Sequence, residues 1–153
     1  MLTSPLQHPQ ILQALAGAGH GSLVLIADGN YPVSTSRGPN AAVVHLNLLP
    51  GVLDAVTIAG ALAGSVPVEA AMVMAPDREG EYAAADEPPI WSEFADILAR
   101  IGGSVQIQPV ERMAFYALVA TPQVALVVVS ADTRFYANLL LRIGAIPTDH
   151  VWP

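Results

Sequence analysis

Two unbroken apolar stretches, Ser22 to Ala27 ("SLVLIA") and Val124 to Ser130 ("VALVVVS"), constrain this chain more than any other feature. Each has the length of a strand and lacks the apolar–polar alternation of a half-exposed one, so each must be covered on both faces. Further strand segments are Val66 to Met74 and, more weakly, Ser104 to Pro109. The segments between them read as helices, at Leu48 to Ala63, Pro89 to Ile101 and Arg112 to Ala120, although Pro50 and Gly51 argue for a later start to the first of these. An additional helix opens the chain in "SPLQHPQILQALAGAGH", with Ser4 as N-cap, Pro5 at the first helical position, and apolar residues at Ile11, Leu12 and Leu15. Alternating helices and strands predict an α/β fold: a single three-layer domain over residues 1–153 with a largely parallel sheet. The polar, proline-bounded stretch from residue 75 to 89 reads as an exposed loop within that domain.

Composition excludes several function classes. The six basic residues are all arginine, and against thirteen carboxylates they leave a net charge of −7. That balance argues against a nucleic-acid backbone or an anionic membrane surface as the main partner. Without lysine there is no Schiff base and no Walker-type phosphate loop. Without cysteine there is no disulfide, thiolate nucleophile or thiolate metal site, which fits a reducing cytosol. The N-terminus does not resemble a signal peptide, and no apolar run is long enough for a membrane helix. A cytoplasmic protein is expected. With 53% of its residues hydrophobic and only 12% charged, the chain is expected to bury surface against copies of itself.

Three glycines and a histidine precede the first of the apolar stretches, in "AGAGHGSLVLIADGNYP" at residues 16 to 32. A dinucleotide fingerprint places its glycines after a strand and at the start of a helix. Here they end a helix and open a strand, so that reading fails on topology. The plain alternative is a helix C-cap and a tight turn in which His20 sits. Asp28 ends the apolar run where open α/β sheets tend to place ligands. It is either a turn-forming residue, helped by Gly29 and Asn30, or a polar group presented to a ligand; spacing alone leaves both open.

The same stretch resembles the N-terminal signature of the L-fucose mutarotase and D-ribose pyranase family, with its histidine–proline pair, Gly-His-Gly turn, hydrophobic strand and alanine–aspartate followed by an aromatic–proline. The likeness continues in "PPIWSEFADIL", "ERMAFYALVA" and "FYANLLLRIGAI". Carried over residue by residue, the resemblance places the family's general acid on His20 and its sugar-binding aspartate on Asp28. Its aromatic and amide sugar ligands fall on Tyr136 and Asn138, and a position that distinguishes the two branches falls on Arg112, favouring the fucose type. The chain departs from the family pattern at the glutamate usual before the tyrosine, which is represented only by Asp132. The resemblance implies a cofactor-free isomerase in a ring-forming homo-oligomer, a decamer, acting on a monosaccharide.

These residue types suit mutarotation. A proton goes to the ring oxygen, another leaves the anomeric hydroxyl, the ring opens, and it recloses on the other carbonyl face. Histidine exchanges protons near neutrality. The carboxylate, amide, phenol and guanidinium supply directional donors and acceptors for a polyol. Geometry adds a constraint: if Ser22 to Ala27 is extended, His20 and Asp28 lie about eight residues apart at ~3.3 Å each, on the order of 25 Å. No monosaccharide bridges that, so a site at a subunit interface is expected. Tyr136 and Asn138 share a face only where the chain is extended or turning. Any helix in that region is therefore placed after Asn138, in "LLLRIG".

Each candidate also has a structural role to weigh. Arg112 beside Glu111 also reads as a solvated surface pair, Tyr136 as core with its hydroxyl at the rim, and Asn138 as a helix N-cap. His8 reads as helix-start structure, His45 and His150 have no evident partner, and Trp152 in "HVWP" reads as interface packing. The histidines have no metal-ligand spacing, so no metal site is expected. The functional expectation is a sugar mutarotase. Its rivals are a non-catalytic sugar-binding or regulatory protein on the same scaffold, and a purely structural oligomer.

Overall fold

The two apolar stretches lie side by side. In a computed structural model that describes residues 2, 4–80, 83, 86–101 and 104–149, they form β1 (Leu23–Ala27) and β5 (Val124–Val129), paired in parallel. The chain runs α1 (Pro9–Gly17), β1, β2 (Ala42–His45), α2 (Ala55–Ala63), β3 (Val68–Met74), α3 (Ile90–Arg100), β4 (Ile107–Val110), α4 (Arg112–Val119), β5, β6 (Leu139–Ile143). The strands form one sheet in the order β2-β5-β1-β6-β3-β4. Every pairing is parallel except those of β6, which runs antiparallel to both β1 and β3.

Side chains alternate across this sheet into two cores. Val24, Ile26, Leu126 and Val128 face α1, α2 and α3, packing with Ile11, Leu15, Ile58, Leu62, Phe94 and Leu98. Leu23, Leu25, Ala27 and Val127 face α4, with Phe115 and Val119. The three layers and the largely parallel sheet are as the sequence predicts. Among the described residues, no helix is long and apolar enough to cross a membrane.

Three local expectations are corrected. The first helix starts at Pro9, not Pro5: His8 is extended (ψ 116°), as the residue before a proline tends to be, and Pro9 takes the first turn. The second helix starts only at Ala55, because Gly51 and Leu53 are both left-handed (φ 77° and 60°). Asp54 then caps it, accepting from the Thr57 N–H at 2.8 Å. No helix follows Asn138. "LLLRI" is β6, with Leu139, Leu140 and Leu141 all buried, since a strand between β1 and β3 is covered on both faces. Edge strand β2 has no counterpart among the expected elements. The C-terminal "HVWP", with His150 and Trp152, lies outside the described residues.

The reversed direction of β6 determines what meets what. β5 ends and β6 begins at the same end of the sheet, so residues 130–138 pass over the carboxyl end of β1, which lies between them. That crossing is pinned from below. Gly29 N–H donates to the Asp132 carbonyl (2.8 Å), and both Ser130 N–H and Ser130 Oγ donate to the Ala27 carbonyl (2.9 and 2.8 Å). A Cβ on Gly29 would lie 3.1 Å from the Asp132 oxygen, so the close approach favours glycine.

Candidate active site

The carboxyl ends of β1, β3 and β4 and the beginning of β6 surround a cleft of about 300 Å³. It lies where the chain leaves β1 towards one side of the sheet and β3–β4 occupy the other, a switch point of the kind at which open α/β sheets take ligands. Asp28, Arg112, Tyr136 and Asn138 all line it, together with Asn30, Tyr31, Met74, Tyr116 and Phe135.

Asp28 leaves β1 only 4% exposed, and its backbone and side chain are both engaged. Its N–H donates to Asn138 Oδ1 at 2.9 Å, while Asn138 Nδ2 donates back to Asp28 Oδ2 at 2.7 Å. The Asn30 N–H donates to Asp28 Oδ1 at 2.9 Å, closing the Asx turn. Burial pushes the Asp28 carboxyl above the usual carboxylate range; the bonds from Asn30, Asn138 and Tyr31 pull against that shift, and nearby Asp132 adds to it. Turn former and ligand group are therefore compatible roles for one residue. Asn138 precedes a strand and holds Asp28, which rules out the helix-cap role.

Tyr136 is left-handed at φ 61°, a conformation that costs a non-glycine residue of order 1–3 kcal/mol. That turn lets Tyr136 and Asn138 line one cleft. The segment carrying them is held by Asp132, which is buried and bonded at both oxygens. Arg134 Nε donates to Oδ1 (3.0 Å), Arg134 Nη2 to Oδ2 (2.7 Å), and the Ala55 N–H at the start of α2 also donates to Oδ2 (3.1 Å). Burial would raise the Asp132 carboxyl, but these bonds and the guanidinium charge outweigh it and hold it below the usual range. Arg134 reaches on to Glu93 at 2.7 Å, fastening the segment to α3.

Arg112 begins α4 and does not pair with Glu111. Glu111 caps α4 instead, accepting from the N–H groups of Met113 and Ala114, both at 2.9 Å. Arg112 Nη1 donates to Asp77 Oδ2 at 2.7 Å, which keeps its guanidinium firmly protonated beside the cleft. Tyr116, one helical turn on, shares its face.

His20 stands apart. It lies in the turn before β1, at the opposite end of the strands, with its side chain 62% exposed and Nε2 2.8 Å from Glu69 Oε2 on β3. Arg142 on β6 approaches the other Glu69 oxygen at 4.0 Å. His20 borders a larger groove, of about 770 Å³, whose polar lining includes Gln10, Gln13, Ser22, Asn40 and Gln123. Four of the five residues singled out in the sequence thus share one cleft in a single protomer, and the fifth does not. Sequence reasoning passed over Glu69 and Asp77, whose pairings depend on sheet register and loop path. Tyr116 was legible four residues after Arg112. Among the described residues no group of three or more histidines and carboxylates is placed to hold a metal ion.

Fold and cleft together define a three-layer α/β domain with a small hydrogen-bonding cleft at a topological switch point. Residues 1–146 match the RbsD / FucU transport protein family, and the chain belongs to that family. It is 32% identical over 140 residues to the fucose mutarotase of Homo sapiens, covering 90% of this chain and 88% of that one. It is 29% identical over 143 residues to the fucose mutarotase of Danio rerio, covering 92% and 90%. The crystal structure of FucU from Bifidobacterium longum superposes with a TM-score of 0.71 at 28% identity, covering 92% of this chain and 95% of that one.

Proposed function

We propose that this chain is a monosaccharide mutarotase, an isomerase that interconverts the anomers of a sugar such as L-fucose or D-ribose by general acid–base ring opening. The observation that carries the reading is the gathering of Asp28, Arg112, Tyr136 and Asn138 into one cleft of about 300 Å³, at the small end of the range for ligand sites. The fucose mutarotases among its relatives point to the same chemistry. In this reading Asp28 and Asn138 fix sugar hydroxyls from the cleft floor, Arg112 and Tyr136 hold them from the sides, and His20 moves the proton. Protonating the ring oxygen while the anomeric hydroxyl loses its proton breaks the ring C–O bond and leaves an open-chain aldehyde. Rotation about the adjacent C–C bond and the reverse proton transfers close the other anomer, so no proton or electron is gained or lost.

His20 cannot reach the cleft of its own protomer from the opposite end of the strands, so it serves a neighbouring subunit, with the carboxylate of Glu69 orienting its ring. The site therefore straddles two copies of a homo-oligomer; the family resemblance implies a ring of ten. The exposed leucines of the β2–α2 loop, Leu48 and Leu49, fit such an assembly. We place the protein in the cytosol, consistent with its lack of cysteine. The separation of His20 from the cleft also supports the rival reading, a sugar-binding protein without catalysis, for any copy that acts alone.

Saturation-transfer NMR on the anomeric protons of L-fucose, D-ribose and D-galactose, with wild type and His20→Ala, tests both readings. Faster exchange that the substitution abolishes supports the mutarotase. Binding without faster exchange supports the sugar-binding protein, and no response to any of the three sugars contradicts both.

A further inference from the structure

Among the described residues, three buried side-chain polar atoms lack a hydrogen-bond partner: His8 Nδ1, Trp91 Nε1 and the Tyr31 hydroxyl. Of the three residues, only Tyr31 lines the cleft. It is more than nine-tenths buried, and its position is fixed from several directions. The ring lies 5.3 Å from that of Tyr116 and meets Phe115 edge-on at 6.5 Å. Its N–H donates to the Asp28 carbonyl at 3.3 Å, and its own carbonyl accepts from Val33 at 2.8 Å. The side chain is thus anchored three residues after Asp28 and cannot swing away to find a partner elsewhere.

A buried hydroxyl without a partner is unfavourable, and phenylalanine would fill the same space without that cost. A site that keeps the hydroxyl there has a use for it. We infer that the Tyr31 hydroxyl is a specificity-determining group of the cleft: it hydrogen-bonds one hydroxyl of a sugar seated beside Asp28, and so distinguishes that sugar from the deoxy analogue lacking it. This inference rests on the monosaccharide reading of the cleft. A phenol both donates and accepts, so it can complete a bond with either end of a sugar hydroxyl. Burial, with Tyr116 and Asp28 nearby, pushes its ionisation above the usual tyrosine range, so it keeps its proton at every working pH. Discrimination of this kind is strong when a site is built around a polar partner, because the wrong ligand leaves the buried group unpaired.

The test uses full-length wild type and Tyr31→Phe, titrated with L-fucose and with its analogues deoxygenated at one further position. The readouts are anomeric exchange against sugar concentration and the thermal midpoint. Tyr31→Phe should bind L-fucose about fivefold more weakly, the loss of one ordinary hydrogen bond, with a thermal midpoint unchanged or raised. One deoxy analogue, bound about fivefold worse than L-fucose by wild type, should be bound equally well by both proteins. Concentration dependence that agrees within about twofold between the proteins for every sugar would overturn the inference while leaving the mutarotase reading intact. So would a lowered midpoint with affinity lost equally for every analogue, since Tyr31 would then act through the fold. A wild type that neither binds nor accelerates any of the sugars overturns the mutarotase reading, and this inference with it.

Discussion

Asp28 and Asn138, 110 residues apart in the chain, each donate one hydrogen bond to the other, at 2.9 and 2.7 Å, and both are 4% exposed. The pair joins the end of β1 to the beginning of β6. Asn138→Ala leaves the Asp28 N–H and one carboxylate oxygen short of a partner in a buried place. Stability should fall by about 1–3 kcal/mol, and sugar affinity should fall with it. Urea unfolding of the variant checks the first effect; a change below about 0.5 kcal/mol would show that the pair contributes little to the fold.

His20 makes the opposite prediction, because its side chain is mostly exposed and supports no core. His20→Ala should slow anomeric exchange by about 10²–10⁴, the usual contribution of a general acid–base group, while moving stability by no more than about 0.5 kcal/mol. Glu69→Gln should fall between wild type and His20→Ala in exchange rate, because the carboxylate that orients the ring is replaced by a weaker acceptor. An exchange rate in that variant equal to the wild-type rate would reduce the 2.8 Å contact to surface chemistry.

Placing His20 and Asp28 in different copies can be checked by mixing. His20→Ala and Asp28→Asn should each be strongly slowed alone. Denatured together and refolded as mixed oligomers, they should regain part of the wild-type rate, because some sites then combine an intact histidine from one copy with an intact aspartate from another. Persistently slow exchange in oligomers shown to be mixed would return both residues to one subunit's site.

The two buried aspartates predict opposite pH dependences. The Asp28 carboxyl is raised in the folded protein, so its contribution to stability is full below the unfolded value of about 3.9 and is lost as pH rises through the folded value. Asp132 is lowered; its contribution is full above the unfolded value and is lost as pH falls through the folded one. Urea unfolding between about pH 3 and pH 7 should therefore show wild type losing ground to Asp28→Asn as pH rises, and losing ground to Asp132→Asn as pH falls. Difference curves of the reverse slope would contradict the environments described for these groups.

Most of the layer architecture was legible because burial on both faces leaves a plain signature, and β1 and β5 carry it in their unbroken valines and leucines. The same signature stands in "LLLRI", yet a site shared by Tyr136 and Asn138 is met on sequence grounds by a turn followed by a helix. The turn is there; a strand follows it, because position in the sheet, not local pattern, decides between a short buried helix and a short buried strand. The cleft residues were legible as residue types and by resemblance. Their partners were not: the Arg112–Asp77 pair, the contact of His20 with Glu69 and the unpaired Tyr31 hydroxyl depend on register, loop path and packing, which spacing along the chain does not encode.

The crossing of residues 130–138 over the end of β1 has a mechanical consequence. The wall carrying Tyr136 and Asn138 is bonded at Ala27, Asp28 and Gly29 to the strand beneath it, and through Arg134 and Asp132 to two helices. The amides of Asp28 and Gly29 should therefore exchange with solvent deuterium only as slowly as the sheet itself unfolds, and on the proposed function a sugar entering the cleft should order little that was mobile before. The shape of the cleft is set when the chain folds.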